Sequence, residues 1–304
     1  MTSADTKPAG PRRLGLYIPW ALFALVALGW TAYWFVARDA ALKALDAQVA
    51  HANAAGLDAG FSRVDASGFP LHLTLTMQDA HATPFPRMRF TAAKLPLSIN
   101  LSNPRHVIIG LADGVQWTTA DGMAHDLRAA KAEVSVRFAA DNKLARASLV
   151  MDGVRVAHGS TTPTQIDSLL MHVRPDPRTA ADAQMVIDAE NWSGPTPFAA
   201  LNDLAPFPHF RAAIVATESA TLASRTPLRT WTGALRIESL DVAYAETQMT
   251  GLGELKLDAA RRPSGVLHVT PAGAQQVDLV AANGWWTFAG LKLAQAKPLY
   301  SSAD

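Results

Sequence analysis

The chain contains no cysteine, which excludes disulfides, thiol nucleophiles and Cys-ligated zinc or iron–sulfur centres together. Charge is scarce and balanced. Only 17% of the 304 residues are Asp, Glu, Lys or Arg, and 27 basic residues against 26 acidic ones leave a net charge of +1. Nucleic-acid binding needs a basic excess, so nucleic acid is excluded as a partner. Gly-x-Ser-x-Gly elbows, phosphate loops, helix-opening Gly-x-Gly-x-x-Gly patterns and His-x-x-x-His pairs are all missing, and the nine histidines are scattered. Gly251 and Gly253 lie inside a strand pattern, where a bulge or a close backbone approach accounts for them. The sequence therefore offers no catalytic, cofactor-binding or metal-ligating residue.

What the chain has in quantity is apolar surface, 49% of its residues. From Leu16 to Val36 run 21 residues without a charge, enough for a transmembrane helix. Trp20 at one end and Tyr33 and Trp34 at the other fit interfacial aromatic belts. A cleaved signal peptide is the alternative, but the run is longer than an ordinary h-region and ends without a small-x-small site. Lys7, Arg12 and Arg13 precede the run, whereas Arg38 beyond it is balanced by Asp39. The positive-inside rule then keeps the N-terminus in the cytoplasm. The expected organisation is a cytoplasmic tail (1–15), a transmembrane helix (16–36), an alanine-rich juxtamembrane helix (37–55) stopping at Gly56, and an extracytoplasmic β-rich domain (56–304) with a possible subdivision near 192–210.

Beyond Gly56 the apolar period shortens to two. Leu71, Leu73, Leu75 and Met77 alternate with His72, Thr74 and Thr76, the mark of a half-buried strand. The same alternation returns at Val107/Ile109, Val134/Val136, Leu149/Met151, Val154/Val156, Leu169/Met171, Leu240/Val242, Leu255/Leu257, Leu267/Val269 and Leu291/Leu293. Strands this closely spaced argue for antiparallel connections. The fold class is mainly β: a many-stranded, mostly antiparallel curved sheet or open barrel, with short helices expected at Pro197 to Leu204 and Ala272 to Asn283.

Two segments carry a resemblance. Ser67-Gly-Phe-Pro70 leads into LHLTLTM, and GLGELKLDAARRPSGVLHV spans residues 251–269. With the N-terminal anchor, they resemble an uncharacterised bacterial envelope family common in alphaproteobacteria, domain of unknown function 2125, over nearly the whole chain. The motifs are structural, and no catalytic residue carries over. A more distant likeness, to the strand-rich periplasmic domains of AsmA-type proteins, implies lipid handling in the envelope; with the anchor's orientation, the expected place is the bacterial inner membrane, single-pass, with the bulk of the chain periplasmic.

Gly68 and Pro70 suit a tight turn that projects Phe69, as a core plug or as an exposed aromatic, with the core expected. Trp285 and Trp286 are adjacent on a strand pattern and point to opposite faces. Leu71, Leu73, Leu75, Val107, Ile109, Leu255, Leu257 and Trp285 either line a groove for an apolar ligand or fill a closed core. Expected partners are the membrane and a lipid or another envelope protein. The expected function is non-catalytic binding or carriage of such a ligand; a scaffold is the alternative and a hydrolase a third.

Overall fold

The computed structural model describes residues 14–85, 88–111, 113–119, 122–141, 143–159, 161–195, 206–219, 231–244 and 246–296. The expected transmembrane and juxtamembrane helices form one continuous helix, α1 (Leu14–Ala54). Nothing between Val36 and Ala55 breaks helical geometry, and alanine favours it. The helix stops where Gly56 takes φ 79°, with the Leu57 N–H donating to the Ala52 carbonyl at 3.0 Å. Asn53 then clamps Ala59 through both of its backbone groups, at 2.8 and 2.9 Å.

All the strands among the described residues belong to a single antiparallel sheet. Strands β1 (Ala59–Gly60) and β2 (Arg63–Ser67) pair with successive stretches of β3 (His72–Phe85), which pairs with β4 (Met88–Asn100). Beyond β4 the sheet splits into two lanes. One consists of β5 (Asn103–Gly110) and β8 (Lys131–Phe138), the other of β6 (Val115–Thr118) and β7 (Ala124–Arg128). Both lanes rejoin on the long strand β9 (Leu144–His158). A meander follows through β10 (Thr164–Pro175), β11 (Ala183–Trp192), β12 (Phe207–Ala216), β13 (Ala234–Tyr244), β14 (Thr247–Leu257), β15 (Pro263–Pro271), β16 (Val277–Ala282), β17 (Trp285–Phe288) and β18 (Leu291–Gln295).

Register turns the alternation of single strands into a continuous face. Opposed residues of an antiparallel pair share a face, so pairings can be followed across the sheet. Leu73 leads through Ile99, Val107, Val136, Ala147, Val173, Met185, Ile214, Ile237, Gly253, Leu267 and Leu279 to Phe288. The neighbouring row begins at Leu75 and runs through Leu97, Ile109, Val134, Leu149, Met171 and Ile187 to Ala212, Leu240, Gly251, Val269 and Val277. Neither row contains a polar side chain. On the other face Thr74, Ser98, Ser135, Ser148 and His172 occupy corresponding places, with Ile108 between Ser98 and Ser135.

The sequence pattern shows Leu149/Met151 and Val154/Val156 as separate segments, but they belong to one strand. Gly153 at φ 59° interrupts the alternation, so that Met151 and Val154 enter the same buried cluster. Asn191 at φ 52° does the same between Ala189 and Trp192, which also pack in that cluster. Gly253 permits a close approach: a Cβ there would lie 2.2 Å from the Val266 carbonyl oxygen, so the neighbouring backbone comes close on the apolar side.

The helix expected at Ala272 to Asn283 is a turn followed by β16. Gly273 at φ 75° breaks helical geometry, while Val277, Leu279 and Ala281 alternate and pair with Val269, Leu267 and Gly265. The helix expected at Pro197 to Leu204 lies outside the described residues. Strands β11 and β12, on either side of it, pair directly.

Candidate functional site: an apolar sheet face ending in a histidine pair

Two clusters of buried side chains define the cores. One gathers Ala132, Met151, Val154, Ile166 and Ala189 with Leu127, Trp192 and Phe210; all come from adjoining strands of the lanes and early meander. The other joins Trp34, Leu73, Leu75 and Leu101 to Ala41, Leu42 and Leu45 of α1. Among the described residues, the helix thus covers the apolar face where it begins, at β2, β3 and Leu101 just after β4. From β13 to β16 the face is mostly half-buried: Leu235, Ile237, Leu240, Leu255, Leu257, Leu267 and Leu279 all retain partial exposure.

The expected groove residues divide accordingly. Leu73 and Leu75, each 1% exposed, are core beneath α1. Val107, Ile109, Leu255 and Leu257 lie half-buried on the apolar face. Leu71 is 70% exposed, just outside the sheet. Trp285 pairs with Ala282, out of phase with the apolar residue Ala281, and Lys292 Nζ stands 4.6 Å from its ring centroid. Its neighbour Trp286 pairs with Ala281 and takes the place on the face. Gly68 adopts φ 99° and Pro70 follows a cis peptide bond. Phe69 differs from the core expectation: it stacks edge-on against Trp34 at 5.6 Å and remains 53% exposed.

At the far end of the face, across the lane of β6 and β7, an aromatic row forms that no single strand announces. Phe90 stacks on Trp117, Trp117 stacks on His125 at 4.8 Å, and His125 meets His158 edge-on. The two Nδ1 atoms are 2.8 Å apart. Proton order follows from the neighbours. Thr164 Oγ1 lies 2.6 Å from the Pro195 carbonyl and donates to it, because a carbonyl only accepts. Oγ1 therefore accepts from His158 Nε2, at 2.8 Å. Neutral His158 then has a bare Nδ1, which accepts the proton of His125 Nδ1. His125 Nε2 lies 3.4 Å from Thr119 Oγ1. Burial first, and then His125, holds the His158 pKa below the ordinary imidazole value. Thr164 is buried and its hydroxyl proton is committed to Pro195, an arrangement unsuited to a nucleophile. Nearby, the Trp192 indole N–H is buried with no hydrogen-bond partner among the described residues.

The polar face carries ion pairs. Asp176 is buried beneath Arg178 and Arg236, and Arg178 also reaches Glu238. Hydrogen bonds from the Arg178 side chain and backbone hold the Asp176 carboxyl below its usual range. Asp188, Glu190 and His209 offer ligand atoms within 4.8 Å of one another, a set that could hold a metal ion. Glu190 is already hydrogen-bonded to His209 at 2.8 Å and Asp188 to Arg211 at 3.3 Å. Both this cluster and the histidine pair depend on cross-strand register, which is why sequence spacing does not reveal them.

A family model described as an uncharacterized protein conserved in bacteria matches residues 34–287. No curated protein and no solved structure matches the chain.

Proposed function

From the premise that the chain belongs to the uncharacterised bacterial family known as domain of unknown function 2125, we propose that it is a membrane-anchored, non-catalytic envelope protein that binds or carries a lipid on its apolar sheet face. The single observation that carries this reading is the pair of unbroken apolar rows, covered by α1 only where they begin. Surface of that kind is costly to leave in water, at about 25 cal/mol per Å². Acyl chains match it because they need continuous apolar area and no polar partner.

An uncleaved anchor is supported by packing. Trp34, Leu42 and Leu45 cover Leu73 and Leu75, so removing α1 would strip part of the core. The matched family region begins at Trp34, inside the helix. Basic residues on the N-terminal side of the apolar run and their balance beyond it favour a cytoplasmic N-terminus and a periplasmic sheet.

Native mass spectrometry of the full chain, released from its membrane and stripped of loosely held detergent and lipid, tests the proposal. Retention of a discrete lipid mass, lost in Leu255→Asp, is expected. A bare mass under conditions in which the fold persists would contradict it. A second reading, a scaffold presenting the sheet to another envelope protein, draws on the exposed Leu291 and Leu293 of β18; crosslinking to one reproducible partner with no lipid retained would favour it.

A further inference from the structure

The turn between β2 and β3 stands in an unusual relation to α1. Trp30 Nε1 donates to the Pro70 carbonyl at 2.8 Å, Trp34 Nε1 to the His72 carbonyl at 3.1 Å, and Tyr33 Oη to the Leu101 carbonyl at 3.3 Å. Each polar atom of this aromatic cluster is thus paired with a backbone carbonyl of a turn or of the start of β3 rather than left for lipid headgroups. Depth follows from the helix. The uncharged run of 21 residues rises about 32 Å at 1.5 Å per residue, close to the roughly 30 Å of a bilayer's hydrocarbon. Spanning uses nearly all of it. Trp30 stands eight residues before Arg38, the first charge after the run, hence about 12 Å below it along the axis. The Pro70 carbonyl, hydrogen-bonded to Trp30, sits at that level, and the His72 carbonyl, bonded to Trp34, about 6 Å below Arg38.

The turn's composition suits that depth. No Asp, Glu, Lys or Arg occurs from Ala66 to Met77; the large apolar side chains left exposed are Phe69 and Leu71, at 53% and 70%, flanked by exposed Ser67, Pro70 and His72. A backbone entering an apolar medium needs its polar groups satisfied. Pro70 has no N–H, its carbonyl is taken by Trp30, and the Gly68 carbonyl accepts from the His72 N–H at 3.1 Å.

The geometry points to a second membrane contact: Gly68 to Leu71 inserts Phe69 and Leu71 into the leaflet on the C-terminal side of α1, fixing the start of β3 and of the apolar face at the bilayer surface. Its occupant is the acyl region of that leaflet. The inference rests on reading α1 as a membrane anchor, but it is separate from lipid carriage by the sheet.

Since the chain has no cysteine, single-cysteine variants of the full chain can carry a nitroxide spin label in phospholipid vesicles. Phe69→Cys and Leu71→Cys would report the turn, Leu25→Cys the helix, and Leu252→Cys, exposed on the polar face of β14, the aqueous reference. The measured quantity is the ratio of collisions with dissolved oxygen to collisions with a water-soluble nickel chelate. Ratios at 69 and 71 severalfold above that at 252 and approaching that at 25 are expected. A lipid-like ratio at 25 with water-like ratios at 69 and 71 overturns the inserted turn alone. Water-like ratios at all four positions overturn the anchor and the turn together. Thermal unfolding of each labelled variant confirms that the fold reporting these ratios is intact.

Discussion

Trp34 joins the anchor to the sheet, and replacing it tests that joint quantitatively. Its side chain is 5% exposed among Leu73, Leu75 and Leu101, stacks against Phe69, and donates to the His72 carbonyl. Removing a buried aromatic of this size costs about 3–5 kcal/mol, because the cavity closes only partly. For a chain of this length each kcal/mol shifts the melting temperature by about 2–4 °C, so Trp34→Ala should lower Tm by about 6–20 °C. Trp34→Phe keeps most of the packing and loses one hydrogen bond, worth about 1 kcal/mol, or about 2–4 °C. Circular-dichroism melts of the full chain in mild detergent would measure both. If Trp34→Ala melts within about 2 °C of the parent, the helix does not contribute to the core as described.

Other consequences follow from the same geometry. Leu255→Asp and Val107→Asp, on the apolar face, should abolish lipid retention in native mass spectrometry, whereas Leu252→Asp on the polar face should leave it intact. His158 has its pKa held below the free value by burial and by His125, and the unfolded chain takes up a proton at that site first. Stability is therefore full above the unfolded value of about 6.5 and falls as pH drops through and below it; His158→Gln should reduce that slope in melts taken across this range. His172, likewise lowered by burial and Arg146, supplies a further share in the same direction that the variant retains. Gly253→Ala should destabilise more than Gly251→Ala, because its Cβ would lie 2.2 Å from a carbonyl oxygen where the other finds 3.2 Å; equal melts would show that the close approach relaxes freely.

Much of the sheet is legible from alternation alone, because a strand with one buried face states its own periodicity. Leu73/Leu75, Val107/Ile109 and Leu267/Val269 identify β3, β5 and β15 without any knowledge of their neighbours. The Gly-Phe-Pro turn is equally local, since Gly68 needs the positive φ it adopts. What escapes is what depends on pairing. Ala272 to Asn283 carries helix-favouring Ala and Gln, yet the alternation of Val277, Leu279 and Ala281 gains partners in β15 that no isolated segment can reveal. The choice between Trp285 and Trp286 hinges on a single step of register. His125 and His158, 33 residues apart, meet only because the second lane rejoins on β9. Phe69 is exposed where burial is the common fate of phenylalanine, which is intelligible if lipid rather than water surrounds it.

Lipid carriage requires lipid on the sheet face far from the anchor. Photocrosslinking of the full chain in its native membrane with a diazirine-bearing phospholipid, followed by peptide mapping, addresses this most directly. Adducts on the apolar positions of β13 to β16, such as Leu255, Leu267 and Leu279, are expected beside those on α1 and the Phe69 turn. Adducts confined to α1 and residues 68–71, with β13 to β16 unlabelled, would leave an anchored protein that touches the bilayer and carries no lipid.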